Sequence, residues 1–141
     1  MTTHDFGDGR GPVAAHQHQN GGGWVAETAG VEKSSYIGEQ ALVYGQAHVS
    51  GQALVYGQVL VSQTPYRACR SDGYDFILVT CADGALRVIA GCRYVTLEEA
   101  RAHWRTTRAG TQLGAESLAI VDYLERMATE FPYAVVTEAT V

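Results

Sequence analysis

Positive charge is scarce in this chain. Ten basic residues face fifteen acidic ones over 141 residues, leaving a formal charge of −5. That balance argues against non-specific DNA binding or anionic-membrane binding driven by bulk charge. Long apolar runs are also missing, and none approaches the roughly 18 residues of a membrane span. The start, Met1-Thr2-Thr3-His4-Asp5-Phe6-Gly7, has neither a basic segment nor an apolar one, so it does not read as a signal peptide. Cysteine is limited to Cys69, Cys81 and Cys92, an odd number without metal-type spacing. The expectation is a reduced chain in the cytoplasm. Proline occurs three times against sixteen glycines, which points to turns at regular intervals. No Gly-Lys-Ser/Thr follows Gly21-Gly22-Gly23 and no strand precedes it, so a phosphate loop is excluded and no cofactor is expected.

What the sequence does have is a repeat. Branched aliphatics fall every six residues at Val25, Val31, Ile37, Val43, Val49, Val55 and Val61. Four residues after each comes a small or β-branched residue: Ala29, Ser35, Ala41, Ala47, Ala53 and Val59. Ala41-Leu42-Val43-Tyr44-Gly45-Gln46 recurs as Ala53-Leu54-Val55-Tyr56-Gly57-Gln58. A period of six suits neither a 3.6-residue helix nor a hairpin meander. It fits a coil with three short sides, in which Val25 stacks under Val43 and Val61, Val31 under Val49, and Ile37 under Val55. The tract over 25–62 resembles the hexapeptide repeat of left-handed β-helix proteins. That resemblance implies about two coils with the aliphatics inside.

Three segments are expected: a polar Gly-rich N-terminal cap over 1–24, the repeat over 25–63, and a hairpin with two helices over 64–141. In the last, 74–81 and 85–92 read as strands joined at Asp83-Gly84. Thr96 and Glu99 match a capping box opening a helix through about Arg105. A second helix is expected from about Leu113 to Glu130, with Leu118, Val121, Leu124 and Ala128 as its apolar stripe. Residues 133–141 form a tail with the composition of an edge strand. The fold class is therefore mainly β with α.

Residues beside the buried aliphatics point outward: Tyr36, Leu42, Tyr44, Leu54, Tyr56 and Leu60. Stacked, they form an apolar patch. It either packs against the chain's own C-terminal half or joins copies around a three-fold axis, the habit of the resembled family. The expected partner is the chain itself, as a trimer or two trimers.

Residues 64–109 hold seven arginines against five acids, the only stretch where a basic site can be built. Arg101 and Arg105 share a helix face by spacing. Together with Arg87 and Arg93 they make an anion site, because guanidinium groups bind phosphate and carboxylate bidentately. Tyr94 and Trp104 would offer stacking surfaces for a nucleotide-like ligand. The bland alternative is a solvated face balanced by Glu98 and Glu99.

Two weaker candidates remain. His16 and His18 are two residues apart and could ligate a metal, though no further ligand lies at a diagnostic spacing. His48 lies on the outside of a coil. In the hexapeptide-repeat acyltransferases that the tract resembles, a histidine deprotonates the acceptor, so His48 is the candidate catalytic base. The chain departs from those enzymes in its short repeat, which no loop interrupts. Taken whole, it loosely resembles small hexapeptide-repeat proteins of phages and prophages. Asn20–Ala26, the repeat, and Ala90–Ala100 with its Gly-Cys strand and capped helix carry that likeness. The resemblance implies a non-enzymatic accessory protein of the host cytoplasm. It would counter host defence by sequestering a nucleotide signal or by binding a host defence protein.

Overall fold

A computed structural model describes residues 2–133. It is mainly β with two helices, and the chain divides into two compact units, one ending at Pro65 and the other spanning Tyr66–Pro132.

The first unit holds β1 (Thr3–Asp5), β2 (Pro12–Gln17), β3 (Trp24–Ala26), β4 (Gly30–Val31), β5 (Tyr36–Ile37), β6 (Leu42–Val43), β7 (His48–Val49), β8 (Leu54–Val55) and β9 (Val59–Val61). Three parallel ladders join strands 18 residues apart: β3 to β6 to β9, β4 to β7, and β5 to β8. The register is the one the period implies, with Val25 on Val43 on Val61, Val31 on Val49, and Ile37 on Val55. Val25, Ile37, Val43, Val49, Val55 and Val61 are buried, as are Ala41, Ala47, Ala53 and Val59 between them. A fully buried valine contributes roughly 1.5–3 kcal/mol, so these columns are the main stabilising element of the unit. Corners repeat a hydroxyl contact. Thr28 Oγ1 donates to the Gly45 carbonyl, and Ser34 and Ser35 Oγ donate to that of Gly51.

The glycine-rich segment lies along β5. Ile37 N–H donates to the Asn20 carbonyl, and Gly23 N–H donates to that of Ile37, both at 2.9 Å. Gly21 is required here: its φ is +112°, and a Cβ would stand 2.2 Å from the Ile37 carbonyl oxygen.

Residues before Trp24 do more than cap. β1 and β2 form an antiparallel hairpin that continues onto β3. Its signal was present in Asp8-Gly9, a hairpin dipeptide between Thr3-His4-Asp5 and Val13-Ala14-Ala15. The hairpin buries Phe6 and Ala15 with Ala26 and Tyr44, and Val13, Trp24, Leu42 and Leu60 pack against them.

The second unit is an antiparallel sheet ordered β10 (Arg67–Cys69), β11 (Asp75–Cys81), β12 (Leu86–Ala90), β13 (Arg93–Val95). β12 stops at Ala90 because Gly91 turns the chain, and Ala90 pairs with Arg93 across a two-residue loop. Gly91 has φ +58°, and a Cβ there would stand 2.4 Å from Tyr74 Oη. α1 (Leu97–Thr107) opens on a complete capping box between Thr96 and Glu99, and α2 (Gln112–Glu130) opens on Thr111. α1 packs on β12, β13 and α2, while α2 also meets β10. Val121 and Leu124 are fully buried, whereas Leu118 and Ala128 are only partly so. Gly114 and Ser117 take the tightest positions of α2 instead. Among the described residues no helix is long and apolar enough to cross a membrane. The edge strand expected over 133–141 lies outside the described residues, Tyr133 apart, which is in no strand.

Candidate anion site of the second unit

The second unit sorts its arginines into two groups. Arg67 pairs with Asp75, Arg70 with Asp72, Arg87 with Asp83, Arg101 with Asp122 and Glu125, and Arg126 with Glu130. Arg93, Arg105 and Arg108 are exposed and have no carboxylate partner within 4.0 Å among the described residues.

Several expected ligand contacts are therefore occupied. Arg101 donates to two acids of α2, with Nη2 at 2.6 Å from Glu125 Oε1 and 3.0 Å from Asp122 Oδ1, so it fastens helix to helix. Arg87 holds Asp83 at 3.1 Å and lies over the Tyr94 ring at 5.5 Å. Tyr94 Oη is 3.0 Å from Cys81 Sγ. Burial, then this thiol contact, pushes the Tyr94 phenol up to about 12. Trp104 is a correction: it is 2% exposed and packs on Phe76 with ring centroids 5.0 Å apart, so it offers no stacking surface. Its helical spacing fitted a core position as well as a surface one, and burial on the sheet decides which.

A different grouping emerges. Arg93 opens β13, Arg108 caps the C-terminus of α1, and both guanidinium groups act on half-buried His103. Burial, then Arg93 and Arg108, hold the His103 imidazole below its ordinary range. Neutral imidazole is thus favoured, and its ring meets Trp104 edge-on at 4.7 Å. Arg93 and Arg108 also act on Tyr74, whose phenol burial raises and these arginines lower. Tyr74 Oη donates to the Ala90 carbonyl at 2.7 Å, and Arg70 lies over its ring at 4.5 Å. Arg70 is itself buried, bound through Nε and Nη2 to Asp72 and through Nη1 to Ser117 Oγ. It braces this corner, and its pairing holds Asp72 at about 2. Helical spacing puts Arg108 on one face with Arg101 and Arg105, but α1 ends at Thr107 and Arg108 is its C-cap, with non-helical backbone angles.

In the first unit His16 and His18 diverge. His16 Nδ1 is 2.5 Å from Glu27 Oε1 at the surface, while His18 is buried with Nε2 2.8 Å from the Ser35 carbonyl oxygen. They do not form a metal centre together, and no group of three ligands for a metal occurs among the described residues. His48 is exposed on β7 beside Gly30, and among the described residues no acidic side chain lies within 4.0 Å of its ring to orient it.

The apolar patch is split. Tyr44 is 4% exposed under Phe6, whose ring stacks on it at 5.1 Å, and Trp24 stacks on His4 at 4.6 Å. Leu42 and Leu60 lie in the same covered cluster. The N-terminal hairpin thus packs on three of the six patch residues, a cover that neither expected reading named. Tyr36 and Leu54, paired across β5 and β8, stay exposed at 37% and 42%, and Tyr56 is half-buried. No protein family, curated protein or solved structure matches the chain.

Proposed function

We propose that the chain is a non-enzymatic, self-associating binding protein that captures a small anionic ligand at Arg93, His103 and Arg108. The observation that carries this reading is the division of the arginines. Five of the eight in the second unit are neutralised by carboxylates, and the other three, Arg93, Arg105 and Arg108, have no carboxylate partner within 4.0 Å among the described residues. Arg105 and Arg108 also complement the negative end of the helix dipole, which accounts for their sign but not for Arg93. A net charge of −5 opposes any anion at long range, so binding depends on local donors. With Trp104 buried and Tyr94 engaged, the site reads charge rather than a base. A phosphoryl group of a nucleotide-like signal fits that chemistry.

The three ladders at 18-residue spacing support a left-handed β-helix of about two coils for the first unit. Tyr36 and Leu54 are the exposed apolar part of it, which supports self-association as a trimer or two trimers through that face. The loose likeness to phage and prophage hexapeptide-repeat proteins supports an accessory, counter-defence role.

Titration calorimetry with pyrophosphate tests the site. Arg93→Ala and Arg108→Ala should each weaken binding by about ten- to a hundredfold, the effect of losing one charge-assisted hydrogen bond. Arg126→Ala should leave it unchanged. Equal losses at all three would mean diffuse electrostatics, and no loss at Arg93 or Arg108 would overturn the assignment.

A further inference from the structure

We propose that Asn20 is a modification site. Its side chain converts to aspartate and isoaspartate through a cyclic imide when the glycine-rich segment lifts from β5, and the isoaspartate form cannot return. Asn20 is the chain's single asparagine, and glycine follows it. With no side chain on residue 21, the main-chain nitrogen there approaches the Asn20 Cγ without hindrance. That nitrogen donates no hydrogen bond among the described residues, and Asn20 is exposed. The reaction consumes water alone. Gly21 N gives up its proton and bonds to Cγ, the Cγ–Nδ2 bond breaks, and Nδ2 leaves with that proton as ammonia. Water then opens the imide. Addition at Cγ restores the ordinary main chain with aspartate at 20. Addition at the former Asn20 carbonyl carbon leaves the main chain running through Cβ and Cγ, which is isoaspartate.

In the closed fold both ends of that ring are tied down. Asn20 Nδ2 donates to the Ser35 carbonyl at 3.1 Å, and the Asn20 carbonyl accepts from Ile37 N–H at 2.9 Å. Turning the Asn20–Gly21 peptide plane toward Cγ carries this carbonyl off Ile37, and expelling Nδ2 gives up Ser35. The plane has little room to turn, since a Cβ on Gly21 would stand 2.2 Å from the Ile37 carbonyl oxygen. The turn is also closed on itself. His18 N–H donates to the Gly23 carbonyl at 2.7 Å, Gly22 N–H to that of His18 at 2.9 Å, and Gln17 Nε2 to that of Gly22 at 3.2 Å. The imide therefore forms from the opened segment, where the attack is intramolecular and unhindered. Isoaspartate then adds a methylene to the main chain inside this turn. Gly23 leaves no slack for it, because a Cβ there would meet the Gly38 carbonyl oxygen at 2.4 Å. Even plain aspartate loses the donor to Ser35. It sets a carboxylate against a carbonyl that already accepts from His18 Nε2 at 2.8 Å. The segment comes off β5 and leaves the Ile37 amide and carbonyl open for pairing.

The full chain would be incubated at pH 8 and 37 °C, native and in urea, and fragment mass spectrometry would follow ammonia loss and isoaspartate at residue 20. Asp8-Gly9, Asp72-Gly73 and Asp83-Gly84 can close the same ring, but they release water and are not mistaken for it. Two hydrogen bonds of ordinary strength make conversion about ten- to a hundredfold slower in the native chain than in urea. Gln17→Ala removes an exposed hydrogen bond of the turn, and should quicken the native reaction while leaving the rate in urea unchanged. In the isoaspartate form, separated by ion exchange, hydrogen exchange should be faster at Ile37 and Gly23, with β3, β6 and β9 protected as before. Equal rates in the native and unfolded chain would overturn the proposal. So would intact protection of Ile37 in the isoaspartate form, or no conversion at residue 20 in either state.

Discussion

Removing the Phe6 ring tests whether the N-terminal hairpin is an integral part of the first unit. The ring is 5% exposed, stacks on Tyr44 at 5.1 Å, and meets His4 edge-on at 4.8 Å. A buried aromatic side chain removes about 150–250 Å² from water, which at about 25 cal/mol per Å² corresponds to about 4–6 kcal/mol. Compactness of the unfolded chain reduces that by roughly 10–40%. Collapse of the hairpin onto the vacated space recovers part of the remainder, since the site lies under a two-stranded cover. The expected cost of Phe6→Ala is about 3 kcal/mol, at the lower end for such substitutions. Urea unfolding measures it. Trp24 stacks on His4 within the hairpin contact, and Trp104 lies in the other unit, so a Trp104→Phe background leaves the fluorescence to the first unit. With a slope of about 2 kcal/mol per molar urea, the midpoint should fall by about 1.5 M. Hydrogen exchange should quicken in β1 and β2 more than in the β3, β6 and β9 ladder. A midpoint within about 0.3 M of the parent, with unchanged exchange in β1 and β2, would refute the reasoning.

Other consequences follow from the same geometry. Leu54→Lys should shift light-scattering mass toward the monomer while leaving the melting temperature nearly unchanged, whereas Leu60→Lys, under the hairpin, should lower the melting temperature. Arg101→Ala should loosen the contact of α1 with α2 and lower stability, yet leave pyrophosphate affinity within about twofold of the parent, because Asp122 and Glu125 already hold that guanidinium. Asp72 is held at about 2 by Arg70, below its ordinary 3.8. Its contribution is therefore complete above about pH 4 and is lost as pH falls from there through 2; urea midpoints across that range should slope less steeply in Asp72→Asn. Thr96→Ala removes the oxygen that accepts from Glu99 N–H at 3.1 Å, and should cost about 1 kcal/mol by thermal unfolding.

The sequence by itself determined the elements whose signals are local or periodic. Seven aliphatics at a constant step of six leave one register available, because slipping a ladder by a residue would turn every valine outward. Asp83-Gly84 set a hairpin, and Thr96 with Glu99 set the start of α1, since turn and cap chemistry act over three or four residues. Gly91 and Cys92 read from sequence as the end of the return strand, and only the pairing of Ala90 with Arg93 makes them a loop before a third strand. What only the tertiary structure decided was which side chains remain available. Trp104 and Arg101 occupy positions on α1 that suit core, ion pair or ligand equally well. Phe76 beneath one, and Asp122 and Glu125 beside the other, chose between them. Tyr44 faces away from the buried valine column as its spacing dictates, yet Phe6, 38 positions earlier, covers it. Periodicity fixes the direction in which a side chain leaves its own strand or helix. What it meets there depends on residues distant in sequence, and for that reason the proposed anion site keeps Arg93 of the expected set, gives up Arg87, Arg101 and Trp104, and adds His103 and Arg108.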